Sequence, residues 1–223
     1  MQKIKTKILL AIALTSIVLS FLQATYVFAS NATSFSQTIS DGAQSVDVVD
    51  SNGDAVSSPS VTFGGLTFSF SSQTATGTLG AASQKIRVYN PTSDDTWTVS
   101  VAATSGATAV WTAGGNTYDF NDSNTDGTDD SDTDSKGGRL TVDPSVGTLA
   151  AVSPCSSTTN VSKGSSSSFR EIAAAVSSIT LLTGASGSST YCRWDLTGIS
   201  LSQVVPAVQV SGTYTLSFTI TVA

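Results

Sequence analysis

The chain has 223 residues, of which 39% are hydrophobic and only 12% are charged, and this is enough apolar material for one packed domain. Histidine is absent, so the serine, cysteine and zinc enzymes that depend on an imidazole are excluded. The net charge of −6 makes nucleic acid an unfavourable partner, because a surface poor in Lys and Arg repels phosphate backbones.

The N-terminus has the pattern of an export signal. Three lysines precede an apolar run over residues 8–22, and residues 27–29 read Val-Phe-Ala. This pattern predicts a signal peptide over residues 1–29, cleaved after Ala29. A retained anchor is the alternative, because the run nearly reaches the length that spans a bilayer, and membrane contact is expected only through such an uncleaved segment. No sorting motif or polybasic tail follows, so attachment to a cell is expected to be non-covalent.

Residues 30–42 are polar and are predicted to form a leader to a single domain over residues 43–223. Alternation of apolar and polar residues predicts extended strands through most of that domain. In 61–70 the alternation changes phase at Gly64-Gly65, which predicts a bulge or a sharp bend that keeps the apolar residues on the buried face. The predicted strands lie at 43–49, 61–70, 85–88, 97–101, 109–111, 139–142, 179–182, 204–210 and 214–222.

One segment has a different period. Phe169, Ile172, Ala173 and Val176 fall at helical spacing after a run of serines, which predicts a short helix. The pattern as a whole predicts an all-β fold, an antiparallel β-sandwich with one short helix and a long acidic loop; a barrel is the main competitor. The two cysteines, Cys155 and Cys192, are predicted to form a disulfide in an exported chain, with a reactive thiol as the alternative.

The acidic loop is the most chemically specific segment. Residues 119–134 hold seven of the sixteen acidic residues, and a hard cation would relieve their mutual repulsion. Asp122, Asn124 and Asp126 stand at the first, third and fifth positions of a calcium-loop spacing, with Gly127 at the sixth. A solvated acidic loop without metal is the alternative.

The twelfth position of that loop is Thr133, where an EF-hand requires glutamate, so a standard EF-hand is not expected. The loop resembles instead the Asp-rich calcium turns of dockerin-like and thrombospondin-type repeats, in which Asp134 would replace the missing carboxylate. The predicted calcium ligands are Asp122, Asn124, Asp126, Thr128 through its carbonyl, Asp130 directly or through water, and Asp134. A second acidic group, Asp47, Asp50, Asn52 and Asp54 around Gly53, is a weaker candidate, and a hairpin turn is the favoured interpretation there.

Two Trp-x-aliphatic tripeptides occur, one in each half of the chain. Trp97-Thr-Val99 and Trp194-Asp-Leu196 each place the tryptophan and the aliphatic residue on one strand face, so both are predicted to be core residues. Trp111, near Tyr118, is the better candidate for an exposed sugar platform.

With Phe63-Gly, Ile86-Arg-Val88 and a downstream Pro206, these motifs resemble the WxL domain of Gram-positive surface proteins, over most of residues 60–210. The resemblance implies a β-rich domain that associates non-covalently with peptidoglycan, without catalysis.

Two functions therefore compete. The first is a secreted, non-catalytic surface protein that binds a cell-wall polymer or other surface proteins. The second is a subunit of a surface layer or fibre that self-associates through exposed strand edges. A hydrolase with paired carboxylates has little support, because Glu171 is the only glutamate and the aspartates cluster on a loop suited to metal.

Overall fold

The computed structural model describes residues 36–122, 136–172 and 174–223. The chain divides into two compact units, residues 1–39 and 40–223, and in the first unit only residues 36–39 are described. The signal peptide predicted over residues 1–29 lies outside the described residues.

The second unit is an antiparallel β-sandwich, as the alternation predicts. The described part of the unit has no α-helix, and a short 3-10 turn lies at Pro144–Val146. The strands, numbered in chain order, are β1 (Ser45–Val49), β2 (Gln73–Leu79), β3 (Lys85–Asn90), β4 (Trp97–Ala103), β5 (Trp111–Ala113), β6 (Asn116–Tyr118), β7 (Arg139–Asp143), β8 (Thr148–Ala151), β9 (Val161–Lys163), β10 (Ser167–Ser168), β11 (Ser178–Gly184), β12 (Cys192–Thr197), β13 (Ile199–Val205) and β14 (Phe218–Val222).

In the described residues, the sandwich consists of three four-stranded sheets and one hairpin. The first sheet has the order β1-β3-β12-β8, the second β10-β7-β13-β2 and the third β14-β4-β11-β9. The fourth sheet is the β5–β6 hairpin. All strand pairs are antiparallel, so each sheet can bury one face and leave the other in water.

Strand β4 illustrates how the sequence produces these faces. Trp97, Val99 and Val101 are buried, while Thr98 and Ser100 alternate with them on the other face. On the neighbouring β14, Ile220 stands opposite Val101 and extends the same apolar face. The alternation predicted for both segments is confirmed.

Aromatic side chains join the sheets into one core. Phe120, Phe169 and Phe218 form a cluster with ring centroids 5.2–5.5 Å apart. Phe120 and Phe169 flank the second sheet, while Phe218 belongs to β14 in the third. The two contacts of Phe120 are edge-to-face, and aromatic contacts of this kind add to the stabilisation from burial.

The prediction of a strand over residues 61–70 is wrong, because this segment does not pair with a neighbouring strand along its length. Its backbone meets β2 at one point, where Gly64 N donates to Thr76 O at 2.8 Å. Beyond Gly64-Gly65 the segment departs from β2, and the side chains of Leu66, Phe68 and Phe70 are exposed. The phase change therefore marks the end of pairing rather than a bulge.

The predicted short helix is also wrong. Phe169 N donates to Leu140 O at 3.0 Å, which continues the sheet. Arg170 and Val176 then exchange backbone hydrogen bonds with each other, at 3.2 and 2.8 Å. Those bonds close a tight loop and occupy the backbone groups that a helix would need. Within this segment, Ala173 lies outside the described residues.

The bounds of one further predicted strand also differ from the structure. The strand predicted over residues 204–210 lies at Ile199–Val205 instead. Pro206 follows its end, and because proline has no N–H to donate to a ladder, pairing stops there.

The predicted disulfide between Cys155 and Cys192 is confirmed. The two sulfur atoms are 2.08 Å apart and the Cα atoms 5.7 Å apart. The bond fixes the loop after β8 to the start of β12 and closes a 37-residue separation in sequence. On a loop-entropy model, such a cross-link stabilises a fold by about 4 kcal/mol.

Candidate functional site

The two ends of the acidic loop meet in a short ladder, which we call the loop neck: residues 119–122 and 136–140. Asp119 N donates to Gly137 O at 2.9 Å, Asp122 N donates to Gly138 O at 3.0 Å, and Leu140 N donates to Phe120 O at 2.6 Å. This ladder holds residues 119–122 and 136–140 side by side.

Gly138 makes the close approach in the loop neck possible. Its φ is +132°, a conformation that side chains disfavour, and a Cβ there would lie 2.2 Å from Asp119 O. Only glycine therefore fits this position without moving the opposite strand.

Three oxygen-bearing side chains of the loop neck are buried: Asp119, Asn121 and Asp122. Asp119 Oδ1 accepts hydrogen bonds from the backbone N–H groups of Phe120 at 2.6 Å and Asn121 at 3.3 Å. Asn121 Nδ2 donates to Ala107 O at 2.9 Å, while its Oδ1 is buried without a hydrogen-bond partner in the described part of the chain. Carboxylate and amide oxygens are the donors that calcium prefers, and the same loop neck also buries the cationic side chain of Arg139, which pairs with Asn121 along the backbone.

The structure places only the first of the predicted calcium ligands. Asp122 lies in the loop neck with its side chain fully buried. The remaining ligands, Asn124, Asp126, Thr128, Asp130 and Asp134, lie outside the described residues. Among the residues that are described, no three acidic or cysteine side chains gather closely enough to hold a metal ion by themselves.

Sequence reasoning missed Gln203, a buried residue of β13 that braces the loop neck. Its Oε1 accepts from Trp111 Nε1 at 3.0 Å, and its Nε2 donates to Asp119 O at 3.0 Å and to Val204 O at 2.8 Å. The side chain thus connects the hairpin, the loop neck and the second sheet. The sequence offers one signal for this role: Gln203 is the polar residue on the inner, otherwise apolar face of β13.

Replacing Gln203 with leucine is expected to lower the free energy of unfolding by about 2 kcal/mol. The substitution removes the hydrogen bonds that Gln203 makes with the indole N–H of Trp111 and with the carbonyl of Asp119. Urea denaturation measures the loss, with Gln37→Leu on an exposed segment as the control. Equal stability of the two variants would contradict this role for Gln203.

The second acidic group forms a hairpin turn, as favoured from the sequence. Asp50 Oδ1 accepts from the backbone N–H groups of Asn52, Gly53 and Asp54 at 2.8–3.0 Å. These hydrogen bonds hold the pKa of the Asp50 carboxyl below its usual range, and the one from Asp54 has the largest effect. The Asp50 carboxylate is therefore occupied in stabilising the turn after β1.

Both Trp-x-aliphatic motifs are core elements. Trp97, Val99, Trp194 and Leu196 are all buried, and the two indole rings lie 5.2 Å apart between the third and first sheets. Gly184 faces the Trp97 ring, and a Cβ there would lie 2.4 Å from it. These residues hold the sheets together, so they do not contact a ligand directly.

The exposed sugar platform proposed for Trp111 and Tyr118 is wrong. The β5–β6 hairpin sets the two residues opposite each other, and both are buried, with ring centroids 5.9 Å apart. Burial is the main cause that raises the pKa of the Tyr118 phenol, and the electrostatic interaction with Tyr214 raises it further.

An open apolar cleft lies between β14 and β1, which we call the edge cleft. It has a volume of about 590 Å³. Leu216, Phe218 and Ile220 line one side, Val46, Asp47 and Val48 line the other, and buried residues of the second sheet form the floor. Both flanking strands end their sheets, because β14 pairs only with β4 and β1 only with β3 among the named strands.

No protein-family model, curated protein or solved structure matches the chain. Within residues 36–122, 136–172 and 174–223, no helix is long and apolar enough to cross a membrane. The functional inference therefore rests on the residues of this chain.

Proposed function

We propose that this chain is an exported, non-catalytic bacterial surface protein that attaches non-covalently to the cell wall, with its acidic loop held by calcium. The disulfide is the main observation that supports export, because such bonds persist in oxidising compartments outside the cytosol. The pattern of residues 1–29 points the same way. The resemblance to the WxL domain supplies the cell wall as the partner.

The outer face of the third sheet supports contact with a glycan. Ser100 Oγ lies 3.3 Å from Thr221 Oγ1, and Thr104 Oγ1 lies 2.8 Å from Thr219 Oγ1, all on the face away from the core. Neutral hydroxyl groups of this kind can exchange hydrogen bonds with sugar hydroxyls without competing charges.

Calcium at the acidic loop is the second part of the proposal. The buried oxygen atoms of the loop neck and the spacing of the loop's aspartates support it. An ion there would offset the repulsion among carboxylates and fix the conformation of the loop beside the folded domain.

Calcium is expected to raise the melting temperature of the purified protein by about 5–10 °C at a concentration near a hundred times its dissociation constant. Binding to the folded state alone contributes about 2.7 kcal/mol at that concentration, and each kcal/mol shifts a domain of this size by about 2–4 °C. Calorimetry with calcium and a melt with and without EDTA measure both quantities.

Three variants make this experiment specific. Asp122→Ala/Asp126→Ala is expected to abolish the heat of binding and the shift, and Asp126→Ala/Asp130→Ala does the same while sparing the buried Asp122. The matched control is Asp47→Ala/Asp54→Ala, which removes the same charge from exposed positions and should respond normally. An absence of heat and shift at millimolar calcium in the unaltered protein would overturn the calcium proposal.

Wall attachment is tested by co-sedimentation with purified cell walls. The protein is expected to sediment with walls and to be released by a competing wall fragment. Recovery in the supernatant at all wall concentrations, with and without calcium, would overturn attachment.

A subunit of a surface layer or fibre is the second candidate function, and the edge cleft favours it. Proteins that remain monomeric usually protect their sheet edges with charges, proline or covering loops. Here an apolar cleft lies between the edge strands β14 and β1.

A further inference from the structure

A second cleft lies beside the β5–β6 hairpin, and we call it the neutral cleft. It is lined by residues of two segments, 61–69 and 205–215, and by the buried residues Trp111, Tyr118 and Gln203. Its volume is about 480 Å³, within the range of about 300–1,000 Å³ that small-molecule sites in proteins occupy. The neutral cleft is therefore large enough to hold a small molecule.

Hydrogen bonds hold the loop after β13 in place at the neutral cleft. Val208 N donates to Ser69 O at 2.8 Å, and the Tyr214 hydroxyl donates to Val210 O at 2.9 Å. Val208 has a φ of +56°, which a β-branched residue adopts only where the surrounding contacts hold it there. The loop is thus fixed against the segment that carries Ser69, and the cleft is a formed feature of the fold.

None of the described residues that line the neutral cleft carries a charge. The surrounding sequence has the same character, because residues 55–84 and 196–223 contain no Asp, Glu, Lys or Arg. A carboxylate, phosphate or ammonium group that entered the cleft would lose its hydration without meeting a counter-charge. The chemistry of the lining therefore selects a neutral ligand.

Several polar side chains of the lining have hydrogen-bonding groups available. Within the part of the chain that the structure describes, the amide of Gln73 and the hydroxyl groups of Thr62, Thr67 and Thr213 bond to no other residue. A purely apolar ligand would cover these groups without giving them partners, which costs free energy. A ligand rich in hydroxyl groups can both donate to them and accept from them.

Aromatic rings supply the apolar part of the lining. Phe68 is 57% exposed and Tyr214 is half-buried, so both rings have surface available at the cleft. The buried ring of Tyr118 packs on Tyr214 and on Trp111, with centroids 4.9 and 5.9 Å apart, so these two buried residues support Tyr214 and are not themselves an exposed platform. The face of an aromatic ring is electron-rich and attracts the C–H groups of a sugar ring, whose hydroxyl groups stay available for polar partners.

We propose that the neutral cleft binds an uncharged saccharide of a few sugar units. Phe68 and Tyr214 contact its apolar faces, and Gln73 and the threonine hydroxyl groups bond to its hydroxyl groups. The proposal rests on the proposed wall attachment and deepens it, because it names the chemical class of the ligand and the place where the ligand binds.

Calorimetric titration of the purified protein with three neutral trisaccharides tests the proposal: the trimer of N-acetylglucosamine, maltotriose and cellotriose. At least one of them is expected to bind with a dissociation constant in the millimolar range or below, and the anionic trimer of galacturonic acid is expected not to bind. Absence of binding for all three neutral sugars at about 10 mM would overturn the proposal. Binding of hexanol, or of a capped uncharged tripeptide, in place of all three sugars would also overturn it.

Two variants place the ligand in the neutral cleft. Phe68→Ala and Gln73→Leu are each expected to raise the dissociation constant about tenfold, because the first removes a ring from the lining and the second removes an amide. The matched controls are Phe70→Ala, which truncates a ring that is 84% exposed and outside the lining, and Gln37→Leu on an exposed segment; both should bind normally. Equal affinities of Phe68→Ala and Phe70→Ala, with unchanged circular dichroism spectra, would contradict binding in this cleft.

Wall co-sedimentation is scored independently on the same variants. A protein that binds a neutral trisaccharide but stays in the supernatant with walls overturns wall attachment alone and supports the neutral cleft as a saccharide site. A protein that sediments with walls but binds none of the trisaccharides overturns the neutral cleft alone and leaves wall attachment standing.

Discussion

Replacing Asp195 with asparagine is expected to lower the free energy of unfolding by about 3–5 kcal/mol, measured by urea denaturation. Arg87 and Asp195 stand opposite each other on β3 and β12, and both are buried. Arg87 Nε donates to Asp195 Oδ1 at 2.6 Å and Arg87 Nη2 donates to Oδ2 at 2.9 Å, while Lys85 Nζ lies 3.1 Å from Oδ2. The asparagine would leave a buried guanidinium without its counter-charge.

The double variant Arg87→Met/Asp195→Leu separates the cost of an unpaired charge from the worth of the pair. Replacing both charges with apolar side chains of similar size is often neutral or stabilising. We therefore expect the double variant to recover most of the stability that Asp195→Asn loses. A loss below about 1 kcal/mol for the single variant would show that water or a neighbouring group compensates Arg87.

The same pair predicts a dependence of stability on pH. Burial raises the pKa of the Asp195 carboxyl, but the hydrogen bonds and charges of Arg87 and Lys85 outweigh it and bring the pKa below its usual range. A carboxyl with a lower pKa in the folded state stabilises fully above its unfolded pKa, near 4, and loses that contribution as the pH falls through the folded value. The unaltered protein should therefore lose more stability below about pH 4 than the double variant does.

Local patterns predicted the strands and turns that depend on local chemistry. The alternation from Trp97 to Val101 and from Tyr214 to Val222 predicted β4 and β14, because one face of each segment had to be buried. Asp50 was predicted to be in a turn because its side chain can accept from the backbone N–H groups that follow it.

Features that depend on distant partners could not be predicted in this way. Arg87 and Asp195 are 108 residues apart, and nothing in either segment indicates that β3 and β12 are neighbours. The helical spacing after Phe169 was misleading because Phe169 is fixed by a hydrogen bond to Leu140, in another strand. The apolar alternation of Leu66–Phe70 predicted a buried strand, whereas this structure gives the segment no partner strand among the described residues.

The same difference between local patterns and distant partners applies to the candidate site. The spacing of Asp122, Asn124 and Asp126 predicts calcium from one loop alone, and this stays a prediction. The burial of Asp119 and Asn121 could not be predicted, because it arises from the pairing of the loop neck. Gln203 was missed for the same reason, since it reaches the loop from β13.

The second large effect is expected for Trp194→Ala, which should lower the free energy of unfolding by about 3–5 kcal/mol through the cavity it leaves. The side chain has no exposed surface, and its ring packs on Trp97 with centroids 5.2 Å apart. Its Nε1 also donates to Ser157 O at 2.9 Å. Urea denaturation measures the loss, and near-ultraviolet circular dichroism reports the disruption of the tryptophan pair.

Phenylalanine substitutions at the two positions refine this prediction. Trp97 Nε1 is buried without a hydrogen-bond partner in the described part of the chain, so Trp97→Phe removes no hydrogen bond, whereas Trp194→Phe removes the one to Ser157. We expect Trp194→Phe to cost about 1 kcal/mol more than Trp97→Phe. Equal losses would show that the bond to Ser157 is replaced by water. Because both rings are buried, we expect the folded fraction of each variant to behave like the unaltered protein in the wall co-sedimentation experiment.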